Sequence, residues 1–129
     1  EEFRHKKGAV LFGTSSFWEG VDVQGDALSC VIIDRLPFAP PDDPILSARV
    51  DLLKSQGKNP FFMLQVPMAV IALKQGLGRL IRNRTDHGAL CVMDTRILTK
   101  SYGKIFFESL HKSPVTRSLD VLKSFFETS

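Results

Sequence analysis

Three short apolar runs constrain the fold of this 129-residue chain more than any other feature of its sequence. They cover residues 9–12, 28–34 and 89–94, and each is nearly continuous in apolar residues rather than alternating. Strands that are buried on both faces of a parallel sheet have this pattern. Because helical patterns separate the later runs, we predict an α/β layer fold with parallel strands.

The number of predicted strands is small for such a sheet. A complete doubly wound domain usually has five or more strands, and the chain begins with Glu1 rather than Met. We therefore expect an incomplete sheet and a piece of a longer protein. No signal peptide is evident, and no apolar stretch reaches the roughly 18 residues of a membrane-spanning helix, so we expect no membrane segment.

Helix signals are clearest in the middle of the chain. Asp43 is suited to the N-cap, Pro44 to the first helical position and Gly57 to the C-terminal stop of a first helix. Ser113-Pro114 is expected to break the helical pattern near the end. The other predicted helices span residues 67–83, 100–111 and 117–127.

Composition excludes several kinds of site. Lys and Arg number 17 against 14 Asp and Glu, a net charge of +3 that is too small to indicate nucleic-acid binding without a local cluster. Cys30 and Cys91 cannot by themselves form a four-cysteine zinc site or a complete iron–sulfur cluster. Both lie in apolar runs, so we predict buried structural thiols in a reducing compartment. The histidines have no partners at ligand spacing, and no metal site is predicted.

The helix predicted over residues 67–83 carries the most informative set of side chains. At about 100° per residue, Gln75, Arg79 and Arg82 fall within roughly 60° of one another, with Gly78 beside them. Two guanidinium groups on an anchored helix suit a phosphate ligand. Gly76 and Gly78 cost about 1 kcal/mol each relative to alanine, which close packing or close approach of a ligand would offset. A solvated basic face is the simpler alternative.

The loop after the first apolar run is a second candidate site. Ligands of open parallel sheets bind beyond the carboxyl ends of the strands, where this loop is predicted to lie. Ordinary turn residues and a core tryptophan are the alternative interpretation. The loop lacks the Gly-Lys-Ser/Thr of a Walker A motif, as does the rest of the chain. Its candidate residues are Thr14, Ser15, Trp18, Glu19, Gly20 and Asp22.

These stretches resemble motifs of superfamily 2 helicases. Residues 13–25 are similar to motif V and residues 75–84 to motif VI. Trp18 to Asp22, Asp34 to Phe38 and Asp94 to Arg96 resemble the DinG/XPD-like branch, and the resemblance covers roughly residues 8–112. It implies a RecA-like, P-loop NTPase fold. The chain would then be most of the second, C-terminal lobe of an ATP-dependent DNA helicase of repair or replication.

Residue roles follow from the resemblance. It implies that Arg79 and Arg82 face the phosphates of ATP, with Arg82 as the arginine finger. Gln75 would position a nucleotide phosphate or bridge toward the motif V loop, and Gly78 would lie at the nucleotide. It implies further that Glu19, Gly20 and Asp22 couple the loop to the nucleotide, and that Thr14, Ser15 and Trp18 contact DNA.

The resemblance also implies cofactors and partners. ATP and Mg²⁺ would be held mainly by a first RecA-like lobe, which would also carry a 4Fe-4S cluster. The partners would be DNA, that first lobe and, through the tail at 114–129, the chi subunit of DNA polymerase III, all in the bacterial cytoplasm. The chain alone is expected to hydrolyse no ATP.

Two other interpretations stay open at this point. One is a binding module that recruits the polymerase subunit without catalysis. The other is an independent basic nucleic-acid binder that uses Arg79, Arg82 and Arg84, whose binding would weaken with salt because phosphate neutralisation releases counterions.

Overall fold

A parallel sheet forms the centre of the fold. The computed structural model describes residues 7–13, 28–81, 84–110 and 113–128. Within them, strands β1 (Cys30–Ile33) and β2 (Ala89–Val92) pair in parallel, with Cys30 opposite Ala89 and Ile33 opposite Val92. The predicted parallel α/β arrangement is confirmed for the second and third apolar runs, although both strands are shorter than predicted.

The strand predicted over residues 9–12 is wrong. These residues lie in no strand, and the side chains of Val10 and Phe12 are 76% and 88% exposed. Among the described residues the sheet contains only β1 and β2, so this segment has no ladder to join. An apolar run forms a buried strand only where a neighbouring strand satisfies its backbone groups.

Helix α1 (Pro44–Ser55) begins and ends as predicted. The carboxylate of Asp43 accepts hydrogen bonds from the backbone N–H groups of Ile45 and Leu46, at 2.9 and 3.2 Å. Gly57 follows the helix with φ of +71°, which is the left-handed conformation that glycine favours. Leu46 is the buried residue of this helix.

Helix α2 (Val66–Leu80) is preceded without a break by a π-helical turn over Phe61–Gln65. The side chain of Asn59 accepts a hydrogen bond from the N–H of Phe61 at 3.0 Å, so the helical segment begins before the predicted start at Pro67. The wider turn ends two residues before Pro67, whose missing N–H would interrupt an α-helical ladder. The predicted extension to Asn83 is also wrong, because Ile81 has extended backbone.

The helical segment Phe61–Leu80 is 20 residues long and apolar enough to cross a membrane by length and composition alone. The expectation that no segment meets this test is therefore wrong. Core helices of globular domains pass the same test. Val66, Ala69 and Leu73 of α2 are fully buried and belong to the hydrophobic core, so one face of this helix packs inside the domain.

Three further helices follow β2: α3 (Arg96–Thr99), α4 (Gly103–Ser109) and α5 (Leu119–Thr128). The single helix predicted over residues 100–111 is wrong at its start, because Lys100 has extended backbone and separates α3 from α4. The break at Ser113-Pro114 is confirmed, as residues 113–118 are not helical. The last helix is confirmed within two residues.

The core lies between the sheet and the helices that cover it. The largest side chains that are fully buried are Phe106, Leu73 and Val66. Phe38, from the loop after β1, packs its ring on Phe61 with centroids 5.7 Å apart. The buried core residues are Ile33, Leu36, Val66, Ala69, Val70, Leu73, Ile97, Tyr102 and Phe106.

The two cysteines lie side by side on neighbouring strands. Their sulfur atoms are 3.9 Å apart, and both residues are half-buried rather than buried as predicted. Burial, followed by the proximity of Cys91, raises the pKa of Cys30 to about 11. Cys30 is therefore a protonated thiol at neutral pH, which is consistent with a structural role.

Candidate functional site

The last two turns of α2 present the residues that sequence analysis singled out. Gln75 and Gly78 are exposed and Arg79 is half-buried. On the opposite face of the same turns, Leu73 and Leu80 are buried. Gln75 and Gly78 are thus exposed on a helix that is anchored by its opposite face, and the half-buried Arg79 lies one turn after Gln75.

Gly78 stands next to open space. A Cβ atom placed on it would have no heavy atom of the described chain within 4 Å. Gly76, two residues earlier, is buried. Packing inside the described part of the chain therefore does not explain a small residue at position 78.

The arrangement predicted for Arg82 depends on a longer helix than the one observed. α2 ends at Leu80, so helical spacing does not extend from Gln75 and Arg79 to position 82. Arg82 itself lies outside the described residues. Thr14, Ser15, Trp18, Glu19, Gly20 and Asp22 also lie outside them, and their predicted roles stay predictions.

A second cluster lies at the carboxyl ends of the two strands. Asp94, which follows β2, is buried and accepts a hydrogen bond from the N–H of Leu36 at 2.9 Å. Leu36 belongs to the loop that follows β1. The same carboxylate accepts from the backbone N–H of Arg96 at 3.1 Å and from its guanidinium, with Nη2 at 2.6 Å. Asp94 thus joins the two strand-end loops.

The guanidinium of Arg96 holds this carboxylate in its charged form. Its hydrogen bonds, with those from the N–H groups of Leu36 and Arg96, keep the pKa of Asp94 well below its usual range despite burial. Asp94 in turn raises the pKa of Arg96. The guanidinium carbon also lies 5.5 Å from the ring centroid of Phe38, within reach of a cation–π interaction. We call Asp94, Arg96 and the Leu36 N–H the Asp94 clamp.

An open depression of about 320 Å³ lies beside the clamp. Asp34 and Arg35, both exposed, contribute to it from the end of β1. Sequence analysis did not select Asp94 or Arg96 as site residues. The sequence did contain a signal, because a carboxylate and a guanidinium two residues apart stand at the end of the apolar run 89–94. The lining residues are Asp34, Arg35, Met93, Asp94, Thr95 and Arg96.

The depression and the stripe of α2 lie at opposite edges of the sheet. A Cβ atom on Gly88 would come within 2.5 Å of Cδ1 of Leu80 and 2.8 Å of the carbonyl oxygen of Ser29. Gly88 and Ser29 directly precede the two strands. The end of α2 is therefore at the amino edge of the sheet, whereas the depression is at the carboxyl edge.

The chemistry of the described residues suits anions better than metals. In residues 7–13, 28–81, 84–110 and 113–128, no three His, Cys, Asp or Glu side chains lie close enough together to hold a metal ion. The α2 stripe offers amide and guanidinium donors, which suit phosphate oxygens.

Comparison with known proteins gives a family match over most of the chain. The model of the helicase C-terminal domain family matches residues 1–113. The ATP-dependent DNA helicase YoaA of Haemophilus influenzae is 51% identical over 127 residues, which cover 98% of this chain and 20% of that protein. The YoaA of Escherichia coli K12 is 51% identical over 119 residues, or 92% of this chain and 19% of that protein.

A relative that is named for a different activity also matches. The 3'-5' exonuclease DinG of Bacillus subtilis is 43% identical over 118 residues, which cover 92% of this chain and 13% of that protein. The chain therefore spans a fifth or less of the length of these relatives. The resemblance to the DinG and YoaA type of helicase is confirmed.

Proposed function

The chain belongs to the helicase C-terminal domain family, and from that premise we propose that it is the second RecA-like lobe of an ATP-dependent DNA helicase. Its activity is that of the full-length protein, in which a first lobe holds most of the ATP and Mg²⁺. Lobe closure on ATP and opening after hydrolysis move the DNA strand. The full-length protein is proposed to act in DNA repair or replication, in the bacterial cytoplasm.

One observation carries the proposal. α2 is anchored by its buried face and presents Gln75, Gly78 and Arg79 outward, with open space at Gly78. These donors fit a phosphate group that is delivered from another lobe. Gln75 orients a phosphate, and Arg79 contributes positive charge to the same site.

Arg82 completes the proposed nucleotide site as the arginine finger. Such a residue stabilises the charge of the transition state and contributes roughly 10³–10⁵ in rate. In the motif V loop, Glu19, Gly20 and Asp22 couple to the nucleotide, while Thr14, Ser15 and Trp18 contact DNA. Support for both assignments comes from the family match, which spans both motifs.

The 4Fe-4S cluster implied by the family resemblance is proposed to lie in the first lobe. Cys30 and Cys91 are the two cysteines of this chain, and a 4Fe-4S cluster takes four cysteine thiolates, so the chain cannot supply the cluster's ligands by itself.

The α2 stripe is tested in the full-length protein by Gln75→Ala and Arg79→Ala, with Arg49→Ala as the control. Arg49 is an exposed cation of a different helix, α1. We expect the first two variants to lower DNA-stimulated ATP hydrolysis strongly and Arg49→Ala to leave it near normal. Equal activity of all three would remove the stripe from the site.

The arginine finger has its own test. Arg82→Ala in the full-length protein is expected to abolish DNA-stimulated ATP hydrolysis while ATP still binds. The measurements are steady-state turnover and equilibrium binding of a fluorescent ATP analogue. Near-normal turnover would overturn this role for Arg82.

The second candidate function is recruitment of a polymerase subunit. The observation that favours it is α5, a helix without a buried residue, in which Leu119, Val121 and Phe125 are exposed. An amphipathic helix of this kind can dock into a groove of a partner. Capture of the polymerase III chi subunit by the full-length protein, with and without residues 114–129, tests it.

A further inference from the structure

The depression lies at the carboxyl edge of the sheet, whereas the end of α2 lies at the amino edge. A DNA-dependent ATPase has two phosphate-bearing ligands, ATP and DNA. DNA is assigned to the carboxyl edge because the α2 stripe, to which the proposed function gives ATP, ends at the opposite edge, and open parallel sheets bind ligands at the carboxyl edge. This step rests on the proposed function.

Arg35 is an exposed residue that lines this depression. The side chains of Ile33 and Leu36 on either side of it are both buried, with 4% exposure. Ile33 is fixed by its pairing with Val92, and the N–H of Leu36 donates to Asp94 at 2.9 Å. Two anchors this close in sequence leave the intervening backbone little freedom, so the exposed Arg35 is held at the rim.

Of the four charged residues that line the depression, two form an ion pair with each other and two form none with any residue that the structure describes. Asp94 and Arg96 neutralise each other at 2.6 Å. Asp34 and Arg35 have neither an ion pair nor a hydrogen bond with a side chain within the part of the chain that the structure describes. An unpaired guanidinium is a strong donor to phosphate oxygens.

We propose that Arg35 contacts a backbone phosphate of the DNA strand at the carboxyl edge, and that Asp94 and Arg96 are positioning residues for this contact. Asp34 lies beside the same phosphate and weakens its binding by repulsion. The clamp acts through the Leu36 N–H, which sets the path of the backbone that carries Arg35.

The test uses the full-length protein and single-stranded oligo-dT, with the dissociation constant measured by fluorescence anisotropy at several salt concentrations. Arg35→Gln is expected to raise the dissociation constant about threefold to tenfold and to reduce the salt slope by about 0.7, the value for one phosphate contact on a single strand. Asp34→Asn is expected to lower the dissociation constant. The KM for ATP, measured at saturating DNA, is the readout that separates a DNA contact from a nucleotide contact.

Arg49→Gln is the matched control, because Arg49 is an exposed arginine of α1 that does not line the depression. It should change neither the affinity nor the salt slope. If Arg35→Gln behaves like Arg49→Gln, the proposed contact is overturned. If Arg35→Gln changes the KM for ATP and leaves DNA affinity intact, the depression serves the nucleotide or the first lobe, which also overturns it.

The positioning role is tested by a double-mutant cycle. Asp94→Asn should weaken DNA binding in the same way as Arg35→Gln, and the double variant should bind no more weakly than Arg35→Gln alone. Arg96→Lys, which keeps the charge, should bind DNA more tightly than Arg96→Gln. Additive losses in the double variant, or equal affinity of the two Arg96 variants, would overturn the positioning role.

The outcomes separate this inference from the function on which it rests. If the full-length protein shows no DNA-stimulated ATP hydrolysis, the proposed function fails. If that activity is present and Arg35→Gln is indistinguishable from the unchanged protein, only the present inference fails. Thermal unfolding of the Asp94 variants shows whether a loss of affinity comes from unfolding.

Discussion

Asp94 shows how one buried carboxylate can fix two loops. It accepts hydrogen bonds from a backbone N–H that is 58 residues away in sequence and from the guanidinium of Arg96. A buried acceptor that loses its partners is costly, and breaking a buried ion pair by removing one member destabilises proteins by several kcal/mol. Because the side chain of Arg96 is 41% exposed, we expect a smaller loss of about 2 kcal/mol for Asp94→Asn.

The low pKa of Asp94 predicts a pH dependence of stability. In the unfolded chain its pKa is near 3.8, and in the fold it is lower because of Arg96 and the Leu36 N–H. The contribution is therefore complete above about pH 5 and is lost as the pH falls through 4 towards the folded pKa. Thermal unfolding between pH 7 and pH 3 should show a smaller acid-induced loss for Asp94→Asn than for the exposed-site control Asp51→Asn. Identical losses of thermal stability in the two variants on acidification would contradict this prediction.

Gly78 predicts a conflict between stability and activity. Because the described chain leaves open space around it, Gly78→Ala should stabilise α2 by about 0.5–1 kcal/mol. The same methyl group would stand where we propose that a phosphate or the first lobe approaches, so DNA-stimulated ATP hydrolysis should fall. Unfolding and turnover of the full-length protein measure the two effects.

Gly103 provides the contrasting substitution. A Cβ atom on it would collide with the backbone of Ile97, which cannot move aside as a flexible side chain can. Gly103→Ala should therefore destabilise the protein, whereas Gly78→Ala should not. A destabilising Gly78→Ala would mean that the space beside it is filled.

At the scale of single elements, α1 shows how much a local signal can determine. Asp43→Ala removes the acceptor for the N–H groups of Ile45 and Leu46 and should lower the free energy of unfolding by about 1 kcal/mol. Asp42→Ala is the matched control, since Asp42 is the exposed neighbour outside the cap. Chemical denaturation of both variants is the measurement, and equal stability would contradict the capping role.

The start of the long helix was predicted wrongly although the same kind of signal was present. Asn59-Pro60 repeats the pairing of cap and proline seen at Asp43-Pro44, and the Asn59 side chain does accept from the N–H of Phe61. Pro67 is the more conspicuous helix breaker in the sequence, but a π-helical turn precedes it and the helical segment continues through it. The end at Leu80 had no sequence signal, because Ile81 continues the apolar pattern.

At the scale of the whole molecule, apolar side chains remain exposed on the sheet side. Ile32 of β1 and Met93 after β2 are 69% and 64% exposed, and Phe12 is exposed as well.

The chain spans a fifth or less of the length of the relatives that it matches. Helicase activity is accordingly proposed for the full-length protein.

The assignment of most ATP contacts to a first lobe predicts how the chain behaves on its own. The isolated chain should hydrolyse no ATP above background, with or without DNA, because it contributes only the arginines and Gln75 to the proposed nucleotide site. A coupled ATPase assay on the purified chain checks this, with the full-length protein as the positive control. Turnover at rates typical of helicases would contradict it.

The sequence alone determined what depends on a few neighbouring residues: the Asp43 cap, the turn at Gly57, the parallel-strand pattern of two apolar runs and the stripe of Gln75, Gly78 and Arg79. Only the tertiary structure decided which apolar runs pair, and that Asp94 reaches Leu36. The reason is physical: caps and helical spacing act within one turn, whereas strand pairing and burial depend on which distant segments meet.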